Sequence, residues 1–213
     1  MDYGDLAAAL ARGMWVTVQI TAGAAGVAVV AACVAGLARS SGKRLLRWPA
    51  VVYVELFRGT SALVQLFWIY FVLPRFGIDI GAMTAAIVAL GLNVGAYGAE
   101  VVRGAIRTVP QGQRDAAAAL SLTAAQTLCR VVWPQAVPAM LPPAGNLAIE
   151  LLKNSALVSL IAVTELTFAA QLARTATLQT SQIFVLVLLA YFALALCITG
   201  GVRFLEKRLG ATT

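Results

Sequence analysis

Apolar residues fall into long runs without charge, separated by short stretches that hold nearly all the charged side chains. Residues 13–38, 80–99 and 175–202 contain no Asp, Glu, Lys or Arg, and each run reaches the roughly 20 residues a helix needs to cross a bilayer. Two further candidates, each interrupted by charged residues, lie between them. The run over 50–73 carries Glu55 and Arg58 in its first turns, and its charge-free part, 59–74, is too short to cross without tilt. The run over 143–163 contains Asn146, Glu150, Lys153 and Asn154, which share one face at a helical period of 3.6. The pattern predicts an all-α polytopic membrane protein, one domain over residues 1–213. Its five transmembrane helices are expected at about 14–37, 50–73, 80–99, 143–163 and 183–202. Residues 164–181 read as an external amphipathic segment holding Glu165 and Arg174.

Composition agrees with this pattern. Of 213 residues 61% are hydrophobic and 12% charged, against roughly 25% charged in a soluble domain. The net charge of +7 follows from loops on one side of the membrane. Arg39, Lys43, Arg44, Arg47, Arg103, Arg107, Arg114, Arg130, Arg203, Lys207 and Arg208 share one side, and Arg12, Arg75 and Arg174 the other. By the positive-inside rule the first group is cytoplasmic, with the N-terminus outside and the C-terminus inside. No basic patch is interleaved with aromatics, which argues against a nucleic-acid partner. The N-terminus lacks the basic start of a signal peptide, so the first run is expected to be retained. The chain has no histidine and three scattered cysteines, Cys33, Cys129 and Cys197, so no metal site and no disulfide framework are expected.

The segment 112–134, within a cytoplasmic stretch 103–142, is the longest that is built to stand in water. Val109-Pro110 ends any helix before it, and Gln111-Gly112 makes a turn. A helix is predicted from about Gln113, with Asp115 in its first turn, where a carboxylate favours the helix dipole. Ala116 to Ala119 follow, with high helix propensity and a thin surface that suits a narrow cleft. The helix must stop near Ser121, because Thr123 and Gln126 form a capping box that opens another. That second helix is expected to end before Pro134, giving an L-shaped projection; a plain connecting loop is the alternative.

This segment resembles the EAA loop of permease subunits from binding-protein-dependent ABC importers, especially the polar amino acid branch (His, Glu, Gln, Arg, opine). Asp115-Ala116-Ala117 stands for the Glu-Ala-Ala start, Ser121 for the glycine, Val131 for the aliphatic position and Trp133-Pro134 for the closing Leu-Pro. Tyr53 to Thr60, Gln65-Leu66-Phe67, Pro134-Gln135-Ala136, Leu141-Pro142-Pro143, Asn146 and Leu151 to Ser155 extend the resemblance over most of residues 15–205. It implies a type I importer permease in a bacterial inner membrane. Gly112, Asp115, Ala116, Ala117, Ser121, Val131 and Pro134 would then form the ATPase-coupling element. Two cytoplasmic ATPase subunits would use ATP and Mg, a second permease subunit would complete the path, and an external binding protein would deliver a small polar solute. In the family the glycine is expected to make a left-handed turn, where another residue costs roughly 1 kcal/mol.

No GxxxxGK[ST] loop occurs in the chain, so no ATPase motif of its own is expected and it binds no cofactor itself. The expected substrate pathway is the face Asn146, Glu150, Lys153 and Asn154, helped by Gln65, Asn93 and Arg58, since polar groups inside a membrane default to function. Alternatively, Glu150 and Lys153 pair with each other and fix the helix. Likewise Glu55 and Arg58, three residues apart, form an interfacial ion pair or a gate. An ectoine-type compatible-solute importer is the nearest other substrate class. An ion-coupled secondary transporter, with Glu150 as the coupling acid, is the more distant one.

Overall fold

A computed structural model describes residues 3–210. The first helix, α1 (Tyr3–Ser40), is followed by α2 (Arg44–Gly59) and α3 (Ala62–Phe67), which continues through a wide turn Trp68–Val72 and a tight one Leu73–Phe76. Then come α4 (Ala82–Thr108), α5 (Gln111–Ala119), α6 (Ala124–Thr127) and α7 (Trp133–Asn154), the last extended by a tight turn Ser155–Ile161. The chain closes with α8 (Leu166–Thr177) and α9 (Thr180–Arg208). Among the described residues there is no strand. Among the described residues three helices, α1, α4 and α9, are long and apolar enough to cross a membrane singly, and the number rises to five where each of two bent pairs counts as one span.

The central pair is α1 against α4, with α2 and α3 on one flank and α7 and α9 on another. Small residues set how closely the two approach. A Cβ at Gly36 would lie 2.6 Å from Val102 Cβ, and one at Gly91 would lie 2.6 Å from Val27 Cβ. Neither contact is possible, so backbone packing at these glycines replaces side-chain interdigitation. Of the small residues predicted to admit a neighbour, Ala24 is fully buried and Gly23 packs on Ile87, while Gly26 faces open space. The main core joins Ile20 and Ala24 to Leu66, Leu90, Leu151 and Val158.

Several predicted boundaries are corrected. The first helix begins at Tyr3 rather than near 14, because the Ala-rich lead is itself helical; Arg12 folds its Nε back onto the Ala8 carbonyl at 3.2 Å. The last helix extends past 183–202 at both ends. The expected helix over 50–73 is two helices crossing at 108°. Thr60 and Ser61 are extended (φ −123°, ψ 154° and φ −69°, ψ 136°), which ends α2 and restarts the chain in a new direction. The helix expected from 143 starts at Trp133 and runs through Pro138, Pro142 and Pro143. Proline forfeits one backbone bond, and packing against neighbouring helices compensates for it here. Residues 164–181 do contain an amphipathic helix, α8, set at 53° to the preceding one. The residue that precedes α8, Glu165, is fully buried instead of solvated.

Candidate functional site

The projection expected over 112–134 is present, with a different exit. Helix α5 begins at Gln111, so Asp115 sits in its second turn, not its first, and accepts from Gln111 Nε2 at 3.0 Å. The stop at Ser121 is a left-handed residue, φ 55°. Ser121 N donates to Ala118 O at 2.9 Å and Leu122 N to Ala117 O at 3.1 Å, the paired bonds of a Schellman ending. The left-handed turn expected of a glycine at this position is made here by a serine. Two residues later the capping box forms as predicted: Gln126 N donates to Thr123 Oγ1 at 3.3 Å, and Thr123 N to Gln126 Oε1 at 2.9 Å.

The second helix does not end before Pro134. It passes from α6 through a wide turn, Leu128–Val132, straight into α7. In that turn Trp133 N reaches back five residues to Leu128 O. The extra residue gives Pro134 room where a regular helix would set its ring against the preceding turn. Pro134 is thus an early residue of α7 and no terminator. The projection and the membrane helix form one mechanical piece.

Its base is anchored. Val132, Ala136 and Met140 pack with Val102, Ala105, Ile106 and Val109 from α4, and Arg114 donates from Nη2 to the Ile106 carbonyl. Ala117 points inward and is 2% exposed. Gly112, Ala116, Ala118, Ala119 and Leu120 face outward and Val131 is half-buried, so the free ridge carries small residues and the exposed Asp115 and ends in Leu120, which is 74% exposed.

The residues expected along a substrate path divide into three places. Gln65 and Asn93 come together: Asn93 Nδ2 donates to Gln65 Oε1 at 3.0 Å and to Phe57 O at 3.2 Å. Gln65 Nε2 donates to Phe57 O at 2.8 Å and to Thr60 Oγ1 at 2.7 Å. These amides serve the carbonyls that the α2–α3 break leaves without helical partners. A cleft of about 500 Å³ opens beside them, lined largely by apolar side chains including Leu56, Val64 and Trp68.

Arg58 lies elsewhere, over the Tyr97 ring at 5.4 Å and 3.9 Å from Glu100. Its expected partner Glu55 reaches Arg39 instead, at 3.4 Å, and Arg39 also holds Glu100 at 2.7 Å. Arg103 completes the cluster on Glu100. The pairs tie α1, α2 and α4 together rather than closing within α2.

On α7, Asn146, Glu150 and Lys153 are exposed and Asn154 is half-buried. Among the described residues no ion pair joins Glu150 to Lys153. Among the described residues none of these four side chains makes a hydrogen bond, so the face stands open. It is not linked by hydrogen bonds to the Gln65–Asn93 pair.

Sequence reasoning missed a polar residue as highly connected as Gln65. Glu165 accepts from Thr167 N and Phe168 N at 2.8 Å each, from Tyr191 Oη at 2.9 Å and from Thr17 Oγ1 at 3.4 Å. It caps α8 and ties it to α1 and α9. Glutamate is not among the favoured N-cap residues, so its position before Leu166 gave little signal.

A family model described as binding-protein-dependent transport system inner membrane component matches residues 28–211. The chain belongs to this family. Among similar proteins, a probable amino-acid ABC transporter permease, y4tF of Sinorhizobium fredii (strain NBRC 101917 / NGR234), is 43% identical, covering 97% of this chain and 90% of that protein. The glutamine transport system permease GlnP of Escherichia coli (strain K12) is 36% identical over 92% of this chain and 89% of its own. A chain in a crystal structure of an amino acid ABC transporter with histidines superposes with a TM-score of 0.87 at 33% identity, covering 98% of this chain and 99% of that one. A MetNI methionine transporter structure, at 22% identity and a TM-score of 0.84, shares the fold. This permease is therefore a multi-pass inner-membrane transport subunit, and the spacing that resembled an EAA loop lies on the projection.

Proposed function

We propose that this permease carries a polar amino acid through an ATP-driven importer, with the ridge of α5 seated on a cytoplasmic ATPase subunit. The observation that carries this is the unbroken path from α6 into α7. A push delivered at Ala116, Ala118, Ala119 or Leu120 on α5 crosses the short Ser121–Thr123 turn into α6 and from there the wide turn Leu128–Val132 to the helix that bears Asn146, Glu150, Lys153 and Asn154. Two ATPase subunits would burn ATP with Mg, and the N-terminus would lie outside with the C-terminus in the cytoplasm, as the charge distribution favours.

The open face of α7 supports a second permease subunit and a solute path beside it. Charged groups turned to lipid near mid-bilayer cost about 2.5–3.5 kcal/mol each, so Glu150 and Lys153 are expected to meet protein, water or solute. Gln65, Asn93 and Arg58 enter this proposal as the residues that hold the α2–α3 break and its ion cluster alongside the path. The amino acid class follows the named substrates of the relatives, glutamine among them, delivered by an external binding protein.

The test is uptake of labelled polar amino acids into proteoliposomes holding the permease, its ATPase subunits and its binding protein. Uptake should require ATP, and Leu120→Asp should abolish it while the isolated permease folds normally. ATP-independent uptake driven by a proton gradient would refute the proposal.

A further inference from the structure

The first half of α2 has no role in the coupling path, yet its surface is organised. Every residue from 42 to 49 is exposed. Leu45, Trp48, Val52 and Leu56 are 87%, 72%, 45% and 58% exposed, and at 100° per residue they fall on a stripe about 80° wide. Ala50 and Val54, on another side, pack against Ala35 and Ala99. Arg44 and Arg47 lie on a third side and Lys43 just before the helix. Among the described residues none of these three cations takes part in an ion pair, whereas Arg39, Arg58 and Arg103 are held by Glu55 and Glu100.

The 108° turn between α2 and α3 lays this helix crosswise to the apolar segment over Ala62–Phe76. Its apolar stripe is continuous with that segment, because Leu56 shares a cleft with Val64 and Trp68 of α3. A helix with one apolar exposed side, a cationic side and an indole between them fits the boundary of a bilayer. Continuity with the spanning surface favours lipid over a water-soluble protein, and three unpaired cations favour an anionic headgroup.

We propose that α2, through its exposed apolar stripe and the cations at its start, binds anionic phospholipid in the leaflet on the α5 side of the bundle. Leu45, Trp48, Val52 and Leu56 enter the acyl layer, and Lys43, Arg44 and Arg47 hold the phosphates. Because α2 is tied through Glu55, Arg39 and Glu100 to α1 and α4, bound lipid would brace the bundle at the end from which α5 projects.

The test is binding of fluorescent phosphatidylglycerol and phosphatidylcholine to the detergent-solubilised full chain, read by energy transfer. Each cation near an anionic surface contributes a factor of about five, so the wild type should prefer phosphatidylglycerol. The double variant Arg44→Gln/Arg47→Gln should lose about 25-fold of that preference. Arg44→Lys/Arg47→Lys should keep it, which separates charge from misfolding, and Arg203→Gln/Lys207→Gln in α9 should keep it too. An unchanged preference in the glutamine double variant overturns the proposal. So does a double variant that binds both lipids as the wild type does but no longer assembles with the ATPase subunit, since the cations would then serve a protein.

Discussion

Glu150 and Glu165 stand on consecutive elements and meet opposite fates. Glu165, in a stretch whose composition reads as an external segment, is fully buried and accepts from four donors. Glu150, in the middle of a span, is exposed and has no partner among the described residues. A carboxylate away from water must be paired, because losing its hydrogen bonds costs more than any neutral group would. Glu165 finds its partners within the chain and is a fastener. Glu150 does not, among the described residues, and on the proposed function it is free to meet a partner subunit or solute. The difference separates a residue that holds the fold from one the fold offers to something else.

Replacing each residue sharpens that contrast. Glu165→Ala should have the largest effect. It leaves the Thr167 and Phe168 amides without their side-chain acceptor and Tyr191 with only Thr167 Oγ1, while Thr17 keeps the Gly13 carbonyl; buried donors cost about 1–3 kcal/mol apiece. We expect at least about 3 kcal/mol of destabilisation in denaturant unfolding of the purified permease in detergent. A change under about 0.5 kcal/mol, the range of an ordinary surface substitution, would break the comparison. Tyr191→Phe removes one donor and leaves Glu165 three, so about 1 kcal/mol is expected in the same experiment. A loss equal to that of Glu165→Ala would mean the tyrosine, not the carboxylate, organises the cluster.

Glu150→Gln should be the quietest in unfolding, within about 0.5 kcal/mol. In reconstituted uptake it should be loud, with a fall of at least about tenfold, equivalent to about 1.4 kcal/mol. Normal solute affinity and rate in Glu150→Gln, and again in Asn154→Ala, would remove the α7 face from the path.

What was legible in the sequence follows the same division between local and distant causes. The long helices announce themselves by apolar length, and the projection by its alanines and capping box. Ser121 was read correctly as the stop because a Schellman ending and the box after it are local. The α2–α3 break was not legible, since a charge-free run records length and not direction, and Phe57 O finds Asn93 36 residues away. The helix through Pro134, Pro138, Pro142 and Pro143 was read as interrupted because proline costs are weighed for an isolated helix. The wide turn at Leu128–Val132 and packing on α4 remove much of that cost. Glu165 was misplaced because its partners Thr17 and Tyr191 are 148 and 26 residues away. On α7, the shared polar face was visible from its period, but whether Glu150 and Lys153 would pair was not.

The claim on which the rest depends is that the ridge of α5 seats on the ATPase subunit and drives α7. Cross-linking tests it most directly, and the burial of Ala117 directs the probe to its neighbour Ala119. In a chain whose own cysteines, Cys33, Cys129 and Cys197, are replaced by serine, Ala119→Cys should cross-link to the ATPase subunit in the assembled, active importer. The yield should change when ATP is added. An active complex that gives no cross-link from Ala119→Cys, with ATP or without, would contradict it.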